Sequence, residues 1–111
     1  MKTETVIQRE IMDYLKTEEI WHKRMATQGN MHTFGGRTFR KANPNKGMAD
    51  ILASFDNKFF WIEVKTPVGR LSPEQIAFRK EVEAEGHFYM IARTADDVRN
   101  VLEQVFYKNL V

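Results

Sequence analysis

The chain has 111 residues, 42% hydrophobic and 29% charged, with 17 Lys and Arg against 15 Asp and Glu for a net charge of +2. That is one domain's worth of material, able to bury a core without staples. It excludes a disordered tail, a collagen-like fibre and a membrane protein, since no apolar run nears the roughly 20 residues of a membrane span. Cysteine is absent, which removes disulfides, zinc–thiolate sites and thiol nucleophiles. The polar start Met1-Lys2-Thr3-Glu4 has no apolar signal core, so a cytoplasmic setting is expected.

No repeat or low-complexity segment interrupts the chain. Thr5 and Gln8 have capping-box spacing, and Val6, Ile7, Ile11, Tyr14 and Leu15 recur at helical intervals, predicting a helix over 5–19. Glu10 falls inside that stripe. A carboxylate turned towards a core needs a partner, unless it sits at the stripe edge and reaches water. Residues 20–25 read as a first strand. The segment 27–47 is punctuated by Gly29, Asn30, Gly35, Gly36, Asn43, Pro44, Asn45 and Gly47 and reads as a long loop, functional or mobile.

Between Glu19 and Asp50 there is no acidic residue, while Lys23, Arg24, Arg37, Arg40, Lys41 and Lys46 all fall there. A block of one sign on a nearly balanced chain suits a polyanion-facing surface, and equally a solvated loop. Residues 50–55 and 59–65 then flank Asp56-Asn57-Lys58 as a hairpin. On its second strand Phe60, Ile62 and Val64 share one face, and Phe59, Trp61, Glu63 and Lys65 the other.

Ser72-Pro73-Glu74-Gln75 is a helix start with Ser as N-cap, Pro at N1 and Gln at the capping-box position. That helix runs to Gly86, which can end it. Residues 87–92 read as a buried strand, and Thr94-Ala95-Asp96-Asp97 caps a last amphipathic helix. The order α-β-β-β-α-β-α implies an α/β fold with a mixed sheet flanked by helices.

Glu63 and Lys65 are two apart on a strand and leave the same face, and Asp50 opens the neighbouring strand beside them. Two carboxylates and an ammonium at one sheet end are a costly structural choice but a sensible one around a hard cation. Mg²⁺ or Mn²⁺ takes oxygen ligands, typically one or two carboxylates plus waters and phosphate oxygens. Asp50 and Glu63 would be ligands, with the Val64 carbonyl as a third. Lys65 could orient or help deprotonate a water. Glu10 could reach the same cation or a second one ~4 Å away, and Gln75 could hold a water or phosphate. A surface Asp50, a Glu63–Lys65 ion pair and a purely capping Gln75 are each respectable singly; the joint spacing favours the site.

The helix Glu, the strand-start Asp, Glu63-Val64-Lys65 and the strand order resemble the PD-(D/E)XK nuclease superfamily. Gly47-Met48-Ala49-Asp50 and Gly69-Arg70-Leu71-Ser72-Pro73-Glu74-Gln75 narrow the resemblance to its virus-type replication-repair nuclease (VRR-NUC) family, over nearly the whole chain. Ala49 departs from the Pro often found there, a turn-shaping position rather than a ligand. The resemblance implies one VRR-NUC-like domain over 1–111 and a metal-dependent phosphodiesterase with Glu10, Asp50, Glu63, Lys65 and Gln75 in the matching positions. It further implies a stand-alone homodimer acting on branched DNA such as four-way (Holliday) junctions. The alternatives are a flap or general DNA nuclease, and a non-catalytic nucleic-acid-binding module. His22, His32 and His87 lack mutual ligand spacing, Trp21 and Trp61 read as core, and the glycines are too sparse for a nucleotide-cofactor loop.

Overall fold

The computed structural model describes residues 1–25 and 46–105 in full, together with the backbone of 31–34, 37–40 and 106–110. Helix α1 (Glu4–Thr17) starts one residue before the expected range, because its cap is Thr3, not Thr5. The Thr3 hydroxyl accepts the Val6 N–H at 3.3 Å. Strands β1 (Trp21–Arg24), β4 (Ile51–Phe55), β5 (Lys58–Val64) and β6 (Phe88–Ala92) form one sheet in the order β1-β4-β5-β6. β1/β4 and β4/β5 are antiparallel, whereas β5 and β6 are parallel and are joined through helix α2 (Pro73–Ala84). Helix α3 (Ala95–Leu110) closes the chain. The expected mixed sheet and α-β-β-β-α-β-α order are present.

One element was not expected. Within 27–47, read from sequence as a loop, lie β2 (Met31–Phe34) and β3 (Arg37–Arg40), an antiparallel pair separate from the main sheet. Their register pairs Phe34 with Arg37.

The core lies on one face of the sheet. Ile7, Ile11 and Leu15 of α1 and Val98 and Leu102 of α3 pack with Ile51, Ala53, Phe60, Ile62, Val64, Met90 and Ala92. Burying a large apolar side chain of this kind contributes about 1.5–3 kcal/mol before entropy is counted. On the opposite face α2 sets Phe78 edge-on to Trp61, with ring centres 5.0 Å apart. Trp21 departs from its expected core position: it lies on edge strand β1, half exposed, against Phe59.

The turns follow residue chemistry. Asp56 and Asn57 carry φ of 52° and 62° between the paired Phe55 and Lys58, a two-residue hairpin loop of the kind that favours Asp and Asn. Both α1 and α2 end in a left-handed residue that lets the following amide reach back five positions: Ile20 N–H to Leu15 O at 2.8 Å and His87 N–H to Val82 O at 3.1 Å. In α2 that residue is Gly86, at φ 78°; in α1 it is Glu19, at φ 57°. A side chain there carries a strain of about 1 kcal/mol that glycine avoids. Glu19→Gly should therefore raise the melting midpoint by roughly 4 °C, while Gly86→Ala lowers it by a similar amount. A lower midpoint for Glu19→Gly in a thermal scan would count against this assignment.

Candidate active site

The site forms where β4 begins and β5 ends. Ile51 faces Ile62 across the antiparallel pair, so one step outward Asp50 comes beside Glu63. The Asp50 carboxylate is fastened there by the Val64 N–H, which donates to its Oδ2 at 2.8 Å. The approach to Asp50 is tight. Gly47 has φ 92°, and a Cβ on it would lie 2.4 Å from the Glu74 carbonyl oxygen. A glycine is required at that crossing over the first turn of α2.

Glu63 is 2% exposed, and its carboxyl is pushed up from 4.5 to about 9. Burial is the main cause, followed by the close approach of the Asp50 side chain and its negative charge, against the opposing charge of Lys65. One Glu63 oxygen has company: Oε2 accepts from Gln75 Nε2 at 3.3 Å and lies 4.0 Å from Lys65 Nζ. Its Oε1 is buried with no hydrogen-bond partner among the described residues. Two carboxyls, one of them with an orphaned oxygen, need either a shared proton or a cation between them. Among the described residues no third carboxylate or imidazole joins them at ligand distance. Two carboxylates suit a cation that keeps most of its waters and takes phosphate oxygens, as Mg²⁺ does. The donor set fits.

Gln75 serves the cap and the site together. Its Oε1 accepts the Ser72 N–H at 2.8 Å while the Ser72 hydroxyl accepts the Gln75 N–H at 3.2 Å. With the oxygen committed to the cap, the amide NH₂ is turned onto Glu63. Lys65, with a side chain only 11% exposed, holds its ammonium 4.0 Å from Glu63 Oε2 and 4.0 Å from Glu4 Oε1.

The contribution of α1 therefore differs from expectation. Glu10 is not brought to this cluster; its carboxylate pairs with Lys2 at 2.8 Å. The helix carboxylate that reaches Lys65 is Glu4, whose charge also helps to raise Glu63. Helical geometry explains the exchange. At about 100° per residue, Glu4 lies within about 20° of Ile11 and Leu15, whereas Glu10 is about 100° from Ile11. A helix started at Thr5 leaves Glu4 outside, and that hid it.

The basic residues are dispersed. Lys23 pairs across the sheet with Leu52, on the face that carries Trp61. Arg24 is opposite the buried Ile51 and lines a groove of about 330 Å³ beside α1 with Thr5, Gln8, Arg9, Met12 and Asp13. Arg9 thus joins Arg24, although it lies outside the basic run. Arg37 and Arg40 are the ends of β3, Lys41 falls outside the described residues, and Lys46 is paired with Glu74 at 3.2 Å. Beneath α2, the Tyr89 hydroxyl is buried without a partner among the described residues. Burial, and after it the charge of Glu63, pushes the phenol upward. His22 Nδ1 lies 2.8 Å from the Ile20 carbonyl.

No protein-family model matches the sequence, and no curated protein matches it. A solved structure of a VRR_NUC domain superposes with a TM-score of 0.64 at 15% identity, over 90% of this chain and 94% of that one. At that identity the likeness shows the fold: a mixed sheet with flanking helices, arranged as in a VRR_NUC domain. It is the fold that the sequence resemblance implies.

The Glu63 shift carries a stability consequence with a definite sign. A folded-state value of about 9 against 4.5 means that the folded chain keeps a proton the unfolded chain has released. Stability is then full below the ordinary value and falls as pH rises through the window up to the raised one. The metal-free protein should melt progressively lower from about pH 5 to about pH 9, and Glu63→Gln should flatten that dependence and melt higher at the alkaline end. Parallel pH profiles for the two proteins would remove Glu63 as the cause.

Proposed function

We propose that this protein is a Mg²⁺- or Mn²⁺-dependent DNA endonuclease that hydrolyses phosphodiester bonds. The observation that carries the reading is the buried Glu63 carboxyl with its orphaned oxygen, paired with the half-buried Asp50 and set beside the Lys65 ammonium. Asp50 and Glu63 would hold the cation, with the Val64 carbonyl as a further oxygen donor. A divalent cation held there supplies Lewis acidity, polarising the phosphate and acidifying water.

The remaining work belongs to the chain's own groups. The Val64 amide anchors the Asp50 carboxylate in place. Glu63 is kept in one rotamer by Gln75 and by burial, so the two carboxylates are preorganised rather than gathered on binding. Lys65 places a positive charge beside them, where it can orient the attacking water and offset charge growing on the phosphate. Glu4 holds that ammonium from the helix side. In this reading Glu4 takes the place that the sequence assigned to Glu10.

Asp50→Asn, Glu63→Gln and Lys65→Ala should each lower cleavage by about a hundredfold or more, and EDTA should stop the wild type. Glu4→Gln should slow cleavage more than Glu10→Gln, measured on one labelled DNA substrate in Mg²⁺ and in Mn²⁺. Full activity in Lys65→Ala would sink the assigned role. Salt-sensitive DNA binding without cleavage in any metal would favour the non-catalytic module instead.

The substrate class we propose is branched DNA, cut by a homodimer. The sequence resemblance supports this. So does the exposed Trp21–Phe59 pair, with ring centres 6.3 Å apart on the open part of the sheet face, a type of patch suited to a protein contact. A two-fold axis would bring two such sites onto opposing strands. Light scattering should give twice the chain mass, and four-way junctions should be cut at paired positions. A monomer that prefers single flaps would overturn the dimer.

A further inference from the structure

We infer that Arg93 is a positioning residue for Lys65, acting through the turn formed by Thr66, Pro67, Val68 and Gly69; its catalytic consequence rests on the nuclease reading above. Lys65 is the last residue tied to the sheet, its N–H donating to Ala92 O at 3.1 Å. Beyond it the chain folds back at once, with the Gly69 N–H donating to Thr66 O at 3.0 Å. Arg93 Nη1 donates to both carbonyls at the ends of that turn, to Thr66 O and, at 2.9 Å, to Gly69 O.

The turn in turn bears on the lysine. A Cβ on Gly69 would lie 3.3 Å from Lys65 Cδ and 3.2 Å from Thr66 Oγ1, so glycine backbone lies directly against the lysine stem. A free lysine side chain carries about 2 kcal/mol of rotamer entropy. Confining its stem between the turn and the sheet removes that freedom before substrate arrives. The wall itself is anchored from α3: the Arg93 N–H donates to Asp97 Oδ2 at 2.8 Å, and the Asp97 N–H to Thr94 Oγ1 at 3.1 Å. The guanidinium has no ion pair among the described residues. Its two Nη1 hydrogens are given to two backbone carbonyls in directions that the planar guanidinium fixes and a freely rotating ammonium does not.

The test measures the lysine itself. Arg93→Met, Arg93→Lys and Gly69→Ala are compared with the wild type by mass-spectrometric rates of Lys65 amine acylation and by hydrogen exchange at the Gly69 amide. Circular dichroism serves as the check on folding. Arg93→Met should raise Lys65 labelling several-fold and Arg93→Lys less so, Gly69→Ala should change it by pressing the lysine stem off the turn, and Arg93→Met should speed exchange at Gly69. In cleavage assays kcat should fall about tenfold to a hundredfold with KM changed less than about twofold. Arg93→Lys should recover part of the loss. Gly69→Ala keeps Arg93 intact and so holds the inference to account even where Arg93→Met does not fold. Unchanged Lys65 labelling in the folded variants would overturn it. A wild type that cuts no DNA would remove the nuclease reading alone, because the labelling still decides what Arg93 does.

Discussion

The burial of the Glu63 carboxyl beside Asp50 is the constraint around which the rest of this small domain is arranged. A lone carboxylate at 2% exposure is unfavourable by several kcal/mol unless it is protonated or matched by positive charge. Nothing in the core requires it, since Phe60, Ile62 and Val64 already bury the other face of the same strand. The strand therefore does two jobs by alternation. One face supplies hydrophobic stability, and the other spends some of it to hold an acid away from water. Most of the surrounding contacts moderate that expense: the Val64 amide on Asp50, the Gln75 amide on Glu63, and the Lys65 ammonium at the edge of ion-pairing distance.

Much of this arrangement was legible in the sequence because it depends on local rules. Alternation along 59–65 separates core from site, and the spacing Ser72 to Gln75 announces a cap whose last side chain also meets Glu63. The residues that escaped were those decided by small offsets or by tertiary packing. Moving the cap from Thr5 to Thr3 transfers the helix carboxylate from Glu10 to Glu4, a change of cap that no propensity difference announces. Gly35-Gly36 reads as loop punctuation, yet a Gly-Gly pair between two short runs is also the sequence sign of a hairpin. It lies between the paired ends of β2 and β3. Trp21 shows a different limit. Its hydrophobicity suggested core, but edge-strand placement, which sequence alone does not give, leaves it half in solvent. Arg93 carries no motif at all, since its role is defined by carbonyls 24 and 27 residues away.

The helices contribute by where they begin. Glu4, in the first turn of α1, reaches Lys65; Gln75, in the first turn of α2, reaches Glu63; Arg93, just before α3, grips the turn that follows Lys65. Three helix N-termini are thus directed to one end of the sheet. Each brings roughly half a unit of positive charge and a set of backbone amides with no partner inside the helix. The capping hydroxyls of Thr3, Ser72 and Thr94 take up one amide apiece. This convergence gathers positive helix ends around the buried Glu63 and the half-buried Asp50. It also leaves the sheet end receptive to an anion such as a phosphodiester. A carboxylate pair alone would repel such a backbone. In the proposed nuclease, the three helix starts and the Lys65 ammonium would let the same pair hold a divalent cation while a phosphate approaches.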